Sequence, residues 1–251
     1  MQQRLDPQGR LMTTGLYTSY ADLARHQIEG VDYQRTWRSS QCSSLLHLAI
    51  HGGGIEPGTS ELSSAAAGTI NDLYVLEALK PAGNGNLHIT ATRFDEPQAL
   101  ALVSAASHVI SWHGAAGTDP ATYVGGLDYA LRDRIALALV QAGFTVQLAA
   151  DDLDGNDPAN IANRSSRNMG VQLELTTAQR QAFFAGGDLS RPNRVNTTAA
   201  FTTYVQAVQH AVTQALVTAG KGKAAELPVQ FAPMLPAPGH VSSGPAAGRR
   251  R

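Results

Sequence analysis

Apolar positions recur along this chain with two different periods, and each change of period marks an element. Three or four residues separate them in "LDYALRDRIALALVQAG" (127–143), which predicts an amphipathic helix closed by Gly143. Compact apolar runs bounded by glycine predict buried strands at "SLLHLAI" (44–50) and "HVISWHG" (108–114). Further strands are expected at 73–79, 86–94, 144–149 and 171–176, with "KPAGNGN" as the turn between the first two. Helices are expected at 20–30 (closed by Gly30), 60–68 (capped by Ser60 and ended by Gly68), 95–107 (with Pro97 in its first turn), 177–185 and 197–219.

Strands alternate with helices, and this predicts an α/β fold: a three-layer α/β/α sandwich with a mixed, largely parallel sheet. One domain is expected over 16–220. Residues 1–15 read as an irregular N-terminal segment. The Pro, Gly and Ala content from 221 to 251 reads as a disordered tail. The polar stretch "DDLDGNDPANIANRSSRNMG" (151–170) is long for a connection, which suggests that it has work to do.

Composition narrows the classes. Of the 251 residues 43% are hydrophobic and 16% charged, as in a folded globular chain, and the net charge is −1. That balance argues against nucleic-acid coating; the closing "GRRR" supports it alone, and three arginines bind weakly at physiological salt. No apolar run reaches membrane-spanning length and the first residues lack a signal-peptide core, so a cytoplasmic monomer, or one released on lysis, is expected. Cys42 is the only cysteine, which excludes an internal disulfide. Only three residues are lysine, so the basic side chains are mainly arginine; planar forks suit carboxylates.

Chemistry concentrates in "HGGGIEPGTSE" (51–61). It has no Walker lysine and no dinucleotide fingerprint, which leaves a metal half-site or a polar loop with a core histidine. His51 ends a strand, and the glycines allow Glu56 to return to it. An imidazole and a carboxylate are two of the three ligands of a His₂Glu zinc centre, and His113 in "SWHG" is the candidate third.

"LAIHGGGIEPGTSEL" resembles the signature of the poly-γ-glutamate hydrolases, zinc enzymes of phage and bacteria with a carboxypeptidase-like fold. "YADLARHQIEGVDYQ" before it and "HITATRFDEP", "ISWHG" and "NRSSRNMGVQLEL" after it stand in the family's order, over roughly residues 17–216. The resemblance implies a Zn²⁺ amidohydrolase acting on an anionic γ-linked glutamate polymer. It assigns zinc to His51, Glu56 and His113, the general base to Glu174, and an oxyanion-stabilising cation to Arg93. Arg164 and Arg167 are candidates for binding substrate carboxylates. Ser60, Glu61 and Ser111 are candidates for orienting the ligands. His26, His47, His88, His210 and Trp112 read as structural or surface residues.

Overall fold

The structure, a computed structural model, describes residues 16–40 and 43–220. The expectations for 1–15, Cys42 and 221–251 fall outside the described residues. Seven strands form one mixed sheet: β1 (Tyr33–Arg38), β2 (Leu45–Gly53), β3 (Asp72–Ala78), β4 (His108–Gly114), β5 (Thr122–Gly125), β6 (Val146–Leu148) and β7 (Val171–Leu175), in the order β1-β3-β2-β4-β7-β5-β6. The pairs β2–β3, β2–β4, β4–β7 and β5–β6 are parallel. The pairs β1–β3 and β5–β7 are antiparallel.

Among the described residues six α-helices accompany the sheet: α1 (Tyr20–His26), α2 (Thr59–Ala67), α3 (Pro97–Ala105), α4 (Tyr129–Gln141), α5 (Thr177–Ala182) and α6 (Ala199–Gly220). Side-chain alternation sorts two cores. Leu45, Ala49, Ile110, Trp112 and Leu173 face α2, α4 and α6. Leu46, Leu48, Ile50, Tyr74 and Val109 pack with Leu23 of α1 and Leu102 and Val103 of α3. The three-layer α/β/α expectation therefore holds, with two cores of fully buried Leu, Ile and Trp, each such side chain contributing about 1.5–3 kcal/mol.

Several local expectations are corrected. Residues 86–94 form no strand. Asn84–Leu87 is a 3₁₀ turn and the chain then crosses irregularly, although Leu87, Ile89 and Phe94 are buried. Both sides of β3 are already paired with β1 and β2, so the alternation of this segment is satisfied by packing. Strand β1 was not anticipated because its "YQRTWR" is an edge with charged positions, and β5 because it has four residues. The first helix stops at His26, short of Gly30. Ser60 does not cap α2: the N-cap is Gly58, and Ser60 Oγ accepts from Gly53 N–H at 3.0 Å.

The chain leaves β2 for β3 on one side and returns to pair β4 on the other. Such a switch point opens a crevice at the carboxyl ends of the strands, where ligand sites of open α/β sheets lie. His51, His113 and Glu174 are near the carboxyl ends of the three adjacent parallel strands β2, β4 and β7.

Candidate metal centre

Strict alternation would turn His51 to the side of Ala49, away from the face that carries His113. A register irregularity of β2 against β3 between Ala49 and Gly52 brackets His51, and such bulges re-aim side chains. The loop then closes on itself: Glu56 N–H donates to His51 O at 2.9 Å. Gly53 makes the turn possible, with φ +65°, and a Cβ there would lie 2.3 Å from Ala78 O.

Three groups meet at one point. His51 Nδ1 lies 2.9 Å from Glu56 Oε1 and 3.1 Å from His113 Nδ1, and Glu56 Oε2 lies 3.6 Å from His113 Nδ1. The second Glu56 oxygen also accepts from Gly114 N–H at 2.8 Å. The outer nitrogens are held as well. His51 Nε2–H donates to Ile89 O at 2.8 Å, and His113 Nε2 is 2.8 Å from Ser111 Oγ. With its proton spent on Ile89, a neutral His51 has only a lone pair for the centre. Lone pairs of His51 and Glu56 at this spacing need a cation, a proton or a metal, between them. Tetrahedral ligands at about 2.0–2.1 Å from zinc stand roughly 3.3 Å apart, so the donor set fits a His₂Glu metal centre.

His88, read from the sequence as a packed strand residue, is at the centre too. Ligand atoms of His51, Glu56 and His88 lie within 4.8 Å of one another. The His88 ring stacks on His51 with centroids 3.8 Å apart and planes at 29°, whereas His113 meets His51 edge-on at 72°. The signal available in the sequence was its place in "HIT", directly before the carbonyl that holds His51.

Glu174 is buried beside the cluster, in register with His113 across β4 and β7. Burial pushes its carboxyl up to about 8; the Glu56 charge adds to this, while His113, Arg180 and a bond from Gln172 oppose it. Gln172 Nε2–H donates to Glu174 Oε1 at 3.0 Å, and Gln172 Oε1 accepts from Asn160 Nδ2 at 2.8 Å. The long polar segment therefore reaches the carboxylate through Asn160 and Gln172. Burial also opposes charge on Glu56 and His113. When a proton is the cation shared in the cluster, the resulting charge on His51, with bonds from both imidazoles, more than compensates and holds Glu56 well below the usual carboxylate range. The Glu174 and Glu56 charges leave His113 raised.

The arginines separate. Arg93 is exposed, four residues from Ile89, and its guanidinium has no partner among the described residues. An ion pair with Asp95 or Glu96 is absent: Asp95 accepts from Tyr20 N–H, and Glu96 caps α3 and binds Arg35. Arg164 is exposed beside α3, lining a cavity with Asp95, Leu100 and Ser104. Arg167 is not brought to the centre. It pairs with Asp128 at 2.8 Å and approaches Ser107 O, at the opposite end of β4 from His113. Glu61 pairs with Arg194 at 2.6 Å. The cation that the sequence did not reveal is Arg180, buried and bonded to the carbonyls of Pro57, Ala115 and Leu175.

Residues 17–207 match the model of a family described as poly-gamma-glutamate hydrolase. The SPbeta prophage-derived UPF0714 protein YoqZ of Bacillus subtilis (strain 168) is 45% identical over 142 residues, 56% of this chain and 52% of its own length. UPF0714 protein YndL of the same strain is 43% identical over 144 residues, 57% of each chain. The matched segments thus span little more than half of these relatives. Among solved structures, a bacteriophage poly-gamma-glutamate hydrolase superposes with a TM-score of 0.79 at 36% identity, covering 82% of this chain and 100% of that one. YndL in a zinc-free apo form gives 0.75 at 34% identity, over 80% and 98%.

Proposed function

The chain belongs to the poly-γ-glutamate hydrolase family, and from that premise we propose that it cleaves γ-glutamyl amide bonds of an anionic poly-γ-glutamate chain with zinc at the His51–Glu56–His113 centre. The observation that carries the reading is the meeting of His51 Nδ1, His113 Nδ1 and the Glu56 carboxylate within 2.9–3.6 Å beside Glu174. The solved YndL, named as zinc-free, supports zinc as the metal.

Zinc bound there supplies Lewis acidity: it lowers the pKa of a bound water towards neutrality and polarises the amide carbonyl. Glu174 takes the proton from the attacking water and passes it to the leaving amine. Its burial raises its proton affinity into the range useful for both transfers. Asn160 and Gln172 hold that carboxylate by the relay across β7. Arg93, uncommitted to any acidic partner, offers its guanidinium to the carbonyl oxygen as negative charge develops. Arg164, without a partner among the described residues, lines the cavity beside α3 and suits a carboxylate of a neighbouring glutamyl unit.

His113 is the better third ligand than His88. Imidazole binds metal along a lone pair in its own plane. Lone pairs in stacked, nearly parallel rings 3.8 Å apart do not meet 2 Å away, while the edge-on His113 and His51 do converge.

The test is zinc content together with product size on purified poly-γ-glutamate. One zinc per chain with shortening of the polymer, both lost on chelation and restored by zinc, is expected. Polymer shortening unaffected by complete removal of metal overturns the proposal.

A further inference from the structure

The two nitrogens of His88 have opposite surroundings. Nδ1 is buried and has no hydrogen-bond partner. Nε2 lies 3.9 Å from Glu56 Oε1, beyond bonding distance, on a side chain that is 24% exposed. No hydrogen bond of the ring is found among the described residues. The ring itself is fixed by its stack on His51.

This asymmetry selects a protonation form. A proton on Nδ1 would be a buried donor with no acceptor, costing about 1–3 kcal/mol. The imidazolium would carry the same orphan. A bare lone pair at Nδ1 is the smaller loss, because it puts the ring's one N–H on Nε2, at the partly exposed edge 3.9 Å from Glu56 Oε1, where an acceptor can reach it. The proton therefore belongs on Nε2. Ligation through Nε2 would need the reverse arrangement, with the proton forced onto Nδ1, so this geometry also argues against His88 as a ligand.

What remains is a fixed N–H at the edge of the metal centre, unspent within the protein. Resting on the hydrolase reading above, we propose that His88 is a catalytic residue: its Nε2–H donates to the oxygen of the scissile γ-amide as that oxygen becomes anionic. The proton stays on His88, and no bond to it forms or breaks. The role complements that of Arg93, whose side chain is exposed; His88 is held by the stack on His51.

The experiment uses the full chain loaded with zinc and two substitutions, His88→Phe and His88→Gln. Phenylalanine keeps a ring to stack on His51 and removes the donor. Glutamine keeps an N–H donor and removes the stack. Zinc content is expected to stay at one per chain in both. On poly-γ-glutamate, His88→Phe is expected to lower kcat about 100-fold with KM within about twofold, and His88→Gln to recover at least about tenfold of that loss. A long-range proton–nitrogen NMR spectrum of the imidazoles is expected to show His88 protonated at Nε2. Loss of zinc from either variant makes His88 a ligand and overturns the assignment. Unchanged kcat in His88→Phe, a change confined to KM, or a proton found on Nδ1 overturns it too, with the hydrolase reading intact. A zinc-loaded parent chain that leaves the polymer whole overturns the hydrolase reading and the catalytic role together, while the NMR result reports on the tautomer alone.

Discussion

His51 Nδ1 and His113 Nδ1 lie 3.1 Å apart across the junction of two parallel strands, each with its other nitrogen already engaged by Ile89 O or Ser111 Oγ. Two imidazoles locked in this way gain from a shared cation and lose when left with each other. We expect His51→Ala and His113→Ala each to abolish stoichiometric zinc binding. The parent should gain thermal stability with added zinc, by about 2.7 kcal/mol at a hundredfold excess over Kd, and the variants should not. Melting curves with and without zinc, beside metal analysis, check this. A zinc-dependent rise in Tm that persists in both variants sinks the ligand assignment.

The two carboxylates should separate binding from chemistry. Glu56 touches His51 directly, whereas Glu174 is held by Gln172 of its own strand, β7. Glu174→Gln keeps the shape and removes the base. It should retain zinc and lower turnover by roughly 10²–10⁴. Glu56→Gln offers a neutral amide to the metal, so zinc affinity should fall first. Both variants are compared in one buffer for zinc content and kcat. Glu174→Gln turning over like the parent places the base elsewhere.

Acid stability should depend on His47. This ring is buried and accepts from Trp112 Nε1–H at 3.2 Å through Nδ1. Burial, with the Arg38 charge adding to it, pulls its pKa from 6.5 down to about 3. The folded value is the lower one, so the unfolded chain binds the extra proton. The stabilisation is complete above about pH 6.5 and is lost as pH falls from there towards 3, at about 1.4 kcal/mol per pH unit. His47→Gln keeps an acceptor for Trp112 and cannot titrate. Its unfolding free energy between pH 6.5 and 4.5 should fall less steeply than the parent's, by roughly one proton's worth of slope. Equal slopes would show that His47 carries no linkage.

The sequence made the centre legible where chemistry and strand ends coincide. "HGGGIEPGTSE" and "SWHG" carry His51, Glu56 and His113 at the ends of apolar runs, and the β2–β4 pairing brings those ends together. Glu174 was legible for the same reason, as a carboxylate in an apolar strand. His88 was not, because "NLHITATRF" has the alternation of a strand and forms none once both sides of β3 are paired. Arg167 looked available in a polar loop. Its ion pair with Asp128, 39 residues away in sequence, is a tertiary fact that no local pattern encodes. Arg180 sits in "TAQRQA", where helical spacing suggests surface, yet it points inward under the strand ends.

That buried arginine gives the last prediction. Arg180 Nε donates to Leu175 O at 3.1 Å, one terminal nitrogen to Pro57 O at 2.9 Å, and the other to Ala115 O at 3.1 Å and Thr177 Oγ1 at 3.2 Å. It ties the loop after β2 to the carboxyl ends of β4 and β7, next to Glu56, His113 and Glu174. Gly114 makes room for it: a Cβ there would stand 2.6 Å from the guanidinium carbon. Removing the fork leaves Pro57 O without its donor, at about 1–3 kcal/mol where water cannot replace it, and takes one donor each from Leu175 O, which keeps Ala115 N–H, and from Ala115 O, which keeps the Thr177 hydroxyl, while emptying a buried site. Arg180→Met, which keeps much of the stem volume, should therefore cost about 3–5 kcal/mol of stability. Gly114→Ala should displace the same guanidinium and give a smaller loss in the same direction. Because both act on one contact, their effects should fall short of additive in the double variant. Denaturant unfolding of the parent, the two single variants and the double variant measures the coupling. Full additivity would mean that Gly114 and Arg180 act independently and that the arginine does not bind the strand ends as one unit.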